Sequence, residues 1–542
     1  MKNKIFKNIL ALLVVSLFIS SCNESSFLNL KNPNEATDQN FWRHKEDAES
    51  ALAAAYTPLS WPLYGYYGGM AGWLNLNGRG DDIFNILNEE PPVWSVCTFQ
   101  NAASTGYNMF DALFRGIQRA NVLLYHLDEV PAETISDEDR ESIRGEALFL
   151  RAFQYYLLTT DYQEVPLRTL PSGEDILMKP KATEAELWAQ IEADLTQALN
   201  CGLPIKRKSD ELGRVEQGAV VALLAKTYLT QGKFDEAKIE LEKLMTAPYT
   251  YELVANFEDN FKEDTEFNSE SIFEINYAPL GTAGAWGDEG NATLGTFLPQ
   301  FIGSVQTGGW FKIMPSAYAV STFIQELRPA GSDTKFDKRM YATFFFNPAD
   351  YGDIVPNTKW YGNQFSMDDL WESCSAKLSP AAPKFPQING EEGRFMLKKY
   401  TNYFLGGQDD TMGNNSGNNI RIMRFAEVLL MYAEVCVQTG DYAQANEALK
   451  KIRDRAGLAD KTFTADELMP EIMKQSLLEF VGEGQRFNNL KRWYNEPQKL
   501  QKLFIEHEKQ GARNFEAKHY YYPIPTSELI TNTEMKQNDL WK

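Results

Sequence analysis

The chain has 542 residues and carries 74 acidic against 53 basic side chains, which gives a formal net charge of −21. This excess of negative charge disfavours nucleic acids and other polyanions as bulk partners. The sequence contains no GxxxxGK(S/T), GxSxG or HExxH motif, so phosphate-loop, serine-hydrolase and zincin chemistries lose their usual support.

Residues 1–21 are predicted to be an export leader. Three lysines precede an apolar run of 11 residues from Ile9 to Ile19, which is too short to span a bilayer permanently. Two serines and Cys22 follow, and small residues directly before a cysteine resemble the lipobox of bacterial lipoproteins. We therefore expect acylation of Cys22 and a mature chain tethered by lipid. The alternative is an ordinary secretory leader in which this cysteine is incidental.

Helical periodicity dominates two blocks of the mature chain, roughly 107–245 and 418–492. The section between them is rich in glycine, proline, asparagine and aromatic residues, with only short strand-like runs such as 271–277. We therefore predict a helical part at 22–249, a loop-rich section at 250–415 and a second helical part at 416–542. We expect these three to form one compact unit.

Two helix hairpins share one spacing of small and large residues. Ala225 and Ala237 are twelve residues apart, as are Ala433 and Ala445, and a glycine marks the turn within each pair. This pattern is typical of tetratricopeptide helix pairs, in which small residues let the helices approach closely. Because the copies lie 208 residues apart, they do not form a simple tandem array.

Charged residues inside the apolar helices, such as Arg151, Arg424 and Glu483, are interpreted as paired charges that lock helices together, since buried charges must be compensated. The four cysteines after Cys22 are too scattered for a disulfide framework or a metal knuckle, and we expect them to be packing residues. The histidines lack zinc-ligand spacing, and the sequence predicts no metal site.

Several separated motifs resemble, in order, those of the SusD/RagB family, the nutrient-binding outer-membrane lipoproteins of Bacteroidetes. They are FLNLKNPNEATDQNFW at 27–42, GEALFLRAFQYYLLTTDYQEVPL at 145–167, IRIMRFAEVLLMYAEV at 420–435 and EFVGEGQRFNNLKRW at 479–493. Departures are modest: Gln163 stands where the family usually has glycine, and Asn489 where it commonly has aspartate.

The resemblance implies a mostly α fold, a SusD-like scaffold of tetratricopeptide-like helix pairs with an irregular, loop-rich section packed on it. It further implies a protein anchored in the outer membrane and exposed at the cell surface, which captures an oligosaccharide and delivers it to a SusC-type TonB-dependent transporter. It implies no catalysis and no cofactor. Ligand-contacting residues vary between family members, so none can be transferred by motif.

A sugar stacks its C–H faces on aromatic rings and pairs its hydroxyls with amide, carboxylate or guanidinium groups. Two glycine-containing regions combine such residues, and we expect both to be exposed loops. The first, at 61–82, offers Trp73, Asn75, Arg79 and Asp81. The second, in the loop-rich section, offers Trp286, Trp310 and Trp360. For each of these tryptophans the alternative is core packing, because large aromatic side chains dominate buried area.

Calcium could be held by the Asp81–Asp82 pair or by DEGN at 288–291, but neither follows a calcium-loop pattern, and solvated acids are the preferred interpretation. Three other functions stay open. The cargo could be a peptide, which would favour edges that pair with backbone over a tryptophan platform. The protein could instead be a surface glycosidase, or a scaffold that binds only other proteins.

Overall fold

A computed structural model of the chain describes residues 41–61, 70–86, 95–100, 109–279, 295–356, 358–378, 380, 382–388, 390–405 and 416–542. Helices dominate these ranges, which confirms the prediction of a mostly α protein. Each described helix is either too short or too polar to cross a lipid bilayer. The predicted leader and Cys22 lie outside the described residues.

The N-terminal part, described from Phe41 onwards, is mainly helical. In chain order the elements are α1 Lys45–Ser60, α2 Met70–Asn77, β1 Ile83–Asn85, α3 Met109–His126, α4 Asp137–Tyr162, α5 Glu184–Asn200, α6 Gln217–Thr230 and α7 Phe234–Leu244.

The middle section holds short strands and short helices. They are β2 Ser271–Ile275, α8 Leu298–Ile302, β3 Ile313–Pro315, α9 Ala317–Gln325, α10 Lys338–Thr343, β4 Phe344–Phe345, α11 Met367–Ser375, β5 Gln387–Ile388, β6 Glu391–Glu392 and β7 Met396–Leu397. The C-terminal part then contains β8 Ile420–Arg424, α12 Phe425–Gln438, α13 Tyr442–Ala456, α14 Ala465–Phe480, α15 Arg486–Trp493, α16 Pro497–Glu506 and α17 Thr526–Thr531.

Helix α4 is the central helix of the N-terminal part, and its ends follow from local sequence. The Ser136 side chain accepts a hydrogen bond from the backbone N–H of Asp139, and acidic residues fill the first turn, where the helix dipole favours them. The helix ends at Gln163, whose φ of 69° lies in the left-handed region that favours glycine.

The helix pair α3–α4 packs closely at one point. A Cβ atom on Gly116 of α3 would lie 1.8 Å from Oε1 of Gln154 on α4, so only glycine fits at this crossing without rearrangement of the glutamine. The sequence prediction that these two helices are partners is confirmed by the contacts between them.

The two hairpins with tetratricopeptide spacing form as expected, as α6–α7 and α12–α13. All four alanines of the pattern are fully buried. Although the two hairpins are remote in sequence, α7 packs against α12. Lys238 bonds Asp441 across this interface at 3.0 Å, and the Tyr432 hydroxyl lies 3.1 Å from Oε1 of Glu242.

Antiparallel ribbons of two strands join the middle section to both helical parts. Strand β1 pairs with β3, with Ile83 opposite Pro315, and β2 pairs with β8, with Ile275 opposite Ile420. The larger of two hydrophobic clusters in the described residues extends from Trp42 through the middle section to Met535. The four cysteines after residue 22 are free and buried, as expected of packing residues. The predicted domain bounds stay a prediction.

A network of buried charges ties the C-terminal helices to β2 and α10. Arg424 lies 2.6 Å from a carboxylate oxygen of Glu270, and Arg339 lies 3.0 Å from one of Glu479. Burial alone would raise the pKa of Glu479, but the charges of Arg455, Arg424 and Arg339 hold it well below its ordinary value. The interpretation of these charges as locks between elements is confirmed.

Candidate functional site

The segment around Trp73 is a buried helix rather than an exposed loop, so the prediction for this region is wrong where the structure describes it. Trp73 of α2 is 3% exposed, and its indole N–H donates a hydrogen bond of 3.1 Å to the carbonyl of Gly482. Asn75 is buried as well, and its carbonyl accepts a hydrogen bond of 2.9 Å from the Tyr522 hydroxyl. A sugar cannot stack on a ring enclosed in this way.

Arg79 also belongs to the core. Its guanidinium donates to Asp161 at 2.7 Å and lies between two aromatic rings, 4.2 Å from the centre of the Phe487 ring and 4.0 Å from that of Tyr522. These contacts hold α2 against the end of α4 and the C-terminal segment. The residue therefore acts as a buried anchor between elements.

The Asp81–Asp82 pair is buried, which corrects the interpretation of these residues as solvated acids. Asp81 contacts Arg486 at 2.6 Å and His507 at 2.7 Å. Burial alone would raise the pKa of Asp81, but these two partners hold it well below its ordinary value. Burial, together with the charge of Asp81, raises the pKa of Asp82 to about 6.

The described part of the chain contains no cluster of side chains suited to bind a metal ion. There, no three histidine, cysteine, aspartate or glutamate side chains come together in a way that could hold a metal ion. The other candidate for calcium, residues 288–291, lies outside the described residues.

The tryptophans of the loop-rich section that the structure describes differ in how far they are buried. Trp360 is 8% exposed and packs edge to face against Phe345, with ring centres 4.9 Å apart, so it is a core residue. Trp310 is half-buried, and its ring lies 6.4 Å from that of Phe297. Trp286 lies outside the described residues and stays a prediction.

Trp310 lies on a short, tightly folded segment between α8 and β3. Its backbone N–H donates to the carbonyl of Gln300 at 2.7 Å. The two glycines before it are required by the backbone: Gly308 has a φ of 81°, and a Cβ atom on Gly309 would lie 2.2 Å from the carbonyl oxygen of Gly303. These glycines fold the segment back on α8, so they do not mark an exposed tip as expected.

The surface beside Trp310 offers polar groups of the kind that bind hydroxyls. Lys377 is exposed, and its ammonium donates to the carbonyl of Trp310 at 3.2 Å. Gln306 is exposed on the same segment as Trp310, and its backbone N–H donates to the hydroxyl of Ser373 near the end of α11. We call Gln306, Trp310 and Lys377 the Trp310 face. Sequence reasoning missed Lys377, because no local pattern places it beside a tryptophan 67 residues away.

Comparison with known proteins identifies the family. A sequence model of the SusD family matches residues 269–541, and a second, described as starch-binding associating with outer membrane, matches residues 80–229. The chain belongs to the SusD family. The prediction made from the separated motifs is confirmed.

Relatives and solved structures agree with this assignment along nearly the whole chain. SusD-like protein P38 of Formosa agariphila is 25% identical over 90% of this chain and 92% of its own length. The starch-binding protein SusD of Bacteroides thetaiotaomicron is 25% identical over 77% of this chain and 76% of its own length.

Among solved structures, a SusD superfamily protein from Bacteroides vulgatus is 28% identical with a TM-score of 0.76, covering 92% of this chain and 100% of the other. Surface glycan-binding protein A from Bacteroides thetaiotaomicron, solved with laminarihexaose, is 24% identical with a TM-score of 0.70, covering 91% of this chain and 99% of the other. These neighbours confirm the SusD-like helical fold.

Proposed function

We propose that this SusD-family protein is a non-catalytic, lipid-anchored protein of the cell surface that binds an oligosaccharide and delivers it to a SusC-type TonB-dependent transporter in the outer membrane. Membership of the family is the observation that carries the proposal. Its relatives and structural neighbours include a starch-binding protein, a laminarin-binding protein and a protein solved with laminarihexaose.

The Trp310 face is the described surface that fits a glycan best. The partly exposed Trp310 can offer a flat apolar ring to the C–H face of a pyranose. The amide of Gln306 can donate and accept hydrogen bonds, and the ammonium of Lys377 can donate to a sugar hydroxyl. Trp286 stays a second candidate for stacking on the same ligand.

The ion pairs formed by two buried acids also support a binding role. Asp81 is held by Arg486 and His507, and Glu483 lies 2.7 Å from Lys399 and 2.9 Å from Arg424. Carboxylates held in such ion pairs are engaged within the protein, whereas a glycosidase needs two acids that face the scissile bond.

The proposal is tested with a glycan array and a peptide array on the purified protein, followed by calorimetry with laminarihexaose, starch oligosaccharides and any array hit. Trp310→Ala should weaken the affinity for the bound glycan about tenfold, because it removes the stacking surface. Tyr442→Ala is the matched control, since this tyrosine is a 44% exposed aromatic residue on α13. Trp286→Ala tests the second candidate.

The outcomes separate the alternatives. Binding of peptides without binding of any glycan would show that the cargo is a peptide. Release of shortened sugars from a bound oligosaccharide would refute the non-catalytic role. Equal losses in Trp310→Ala and Tyr442→Ala would refute the assignment of the face. Uptake of a labelled oligosaccharide by cells with and without the protein tests delivery to the transporter.

A further inference from the structure

The connection between α4 and α5 exposes three successive apolar side chains. They are Ile176, Leu177 and Met178, which we call the apolar tip, and they form the only run of three exposed large apolar residues within the described ranges. Ile176 is 70% and Leu177 72% exposed, although isoleucine and leucine are normally among the most buried residues. Single exposed apolar residues are common, but grouped ones mark a contact with a protein or a membrane.

Hydrogen bonds tie the backbone of the apolar tip to its surroundings. The guanidinium of Arg168 donates to the carbonyls of Ile176 and Leu177, in both cases at 2.8 Å. The side chain of Asp175 accepts a hydrogen bond of 2.8 Å from the backbone N–H of Ile176. A tip that is already fixed in this way loses little conformational entropy when it binds a partner.

The same bonds suit the apolar tip to a medium of low polarity, in which unpaired polar groups are costly. Two carbonyls and one N–H of the tip are already bonded. The neighbouring charge of Asp175 is compensated, since its carboxylate lies 3.0 Å from the ammonium of Lys179 and 3.5 Å from the guanidinium of Arg168. Glu174 is exposed and has to stay in water, so any insertion of the tip is shallow.

The small size of the apolar tip favours a lipid surface over a protein partner. A stable protein interface takes about 20–30 residues from each side. A bilayer, in contrast, accepts a few apolar side chains, because the affinity grows with each apolar group that enters it. For a protein that is already tethered to the membrane, even a weak second contact is occupied much of the time.

The apolar tip and the predicted lipid anchor are joined to the same half of α3. Twenty peptide units separate Cys22 from Trp42, and such a chain reaches at most about 70 Å. The Trp42 ring stacks on that of His126 at the end of α3, with ring centres 5.2 Å apart. Asn121, about 8 Å away along the helix axis, donates to the carbonyl of Leu170 in the connection that carries the tip. One membrane surface is therefore within reach of both.

We propose that the apolar tip inserts shallowly into the outer leaflet of the outer membrane, as a second contact beside the lipid on Cys22. Two contacts of this kind hold the protein in one orientation on the membrane, which a single flexible tether does not. The choice of this membrane rests on the lipid anchor of the proposed function, whereas the exposed tip and its bonds do not depend on it.

Vesicle binding by residues 23–542 tests the tip without the leader and without the lipid, in a chain that contains every described element. We expect weak sedimentation with vesicles of phosphatidylethanolamine and phosphatidylglycerol, with and without lipid A. Leu177→Ser should weaken the partitioning about tenfold, because one leucine side chain no longer leaves water. The urea midpoint of unfolding should stay the same, since the position is exposed.

Ile354→Ser is the matched control. Ile354 is a 79% exposed isoleucine of the middle section, outside the apolar tip, and its replacement should leave vesicle binding unchanged. Depth is measured with an environment-sensitive dye on Leu177→Cys or on Ile354→Cys, since the four cysteines after residue 22 are buried. Only the dye at position 177 should shift to the blue and be quenched by spin labels near the lipid headgroups.

Three results would overturn the inference. The first is equal vesicle binding by Leu177→Ser and the unmodified protein, and the second is binding to none of the vesicles. The third is Leu177→Ser that binds vesicles normally but no longer co-purifies with the transporter, which would make the tip a protein contact. All three leave the proposed function standing. Tip-dependent vesicle binding by a protein that carries no lipid on Cys22 in cells would support the inference and contradict the lipid anchor instead.

Discussion

Replacement of Trp73 by phenylalanine separates a packing role from a ligand-binding role. The indole N–H of Trp73 donates to Gly482 at 3.1 Å, and its ring meets Phe301 edge to face with ring centres 5.8 Å apart. Phenylalanine preserves the aromatic contact but leaves the buried carbonyl without its donor, which costs about 1–3 kcal/mol. The smaller ring adds roughly 1 kcal/mol for the space left behind.

Equilibrium unfolding in urea measures this loss, which we expect to total roughly 2–4 kcal/mol with an unchanged slope. Glycan affinity, measured on the folded variant, should match that of the unmodified protein. Trp310→Ala is the converse case, with a clear loss of affinity, because its partly exposed side chain belongs to the proposed binding face. A Trp73→Phe variant that is as stable as the unmodified protein, or that weakens glycan binding as strongly as Trp310→Ala, would refute the packing role of Trp73.

Three further predictions concern the charges and the anchor. Arg79→Met leaves the Asp161 carboxylate buried without the guanidinium at 2.7 Å, and should lower the free energy of unfolding by about 3–5 kcal/mol. The double variant with Asp161→Leu should recover much of this loss, and a single variant that unfolds at the same urea concentration as the unmodified protein would contradict the assignment. Burial, with a smaller contribution from the charge of Arg79, lowers the pKa of Lys491 from 10.5 to about 7, so between these values the unfolded chain binds more protons than the folded one. Stability should therefore rise with pH in this window, by roughly 3 kcal/mol between pH 7 and 9.5 from this residue alone. Urea unfolding at both pH values should show this increment missing from Lys491→Met, and parallel curves for the two proteins would argue against it. Cys22→Ala should move the protein out of the membrane fraction in cells that lack the transporter, and retention there would refute the lipid anchor.

The helical scaffold could be predicted from the sequence because its signals are local. The apolar positions along each helix and the alanines of the two hairpins repeat at the helical period, so they indicate helix pairs without knowledge of the rest of the chain. The family motifs are equally local, and the buried charges within them could be interpreted as locks. Their actual partners could not, since Glu427 pairs with Lys226 on α6, about 200 residues away in sequence.

The candidate site could not be predicted in the same way. Segment 61–82 has the composition of an exposed sugar-binding loop, and aromatic, amide and charged residues are equally suited to a buried junction. The segment is buried because its side chains bond residues that are remote in sequence. Trp73 bonds Gly482, Arg79 pairs with Asp161, and Asp81 pairs with Arg486.

The sequence by itself therefore determined the class of the protein, its helices and its family, because those depend on periodicity and on motifs that each fit within a few turns of chain. The tertiary structure alone decided which aromatic residues reach the surface. It enclosed Trp73 and Trp360, left Trp310 partly exposed beside Lys377, and brought Trp188 and Trp493 to the wall of a cavity. Exposure is a property of what packs around a side chain, and those neighbours come from elements that are remote in sequence.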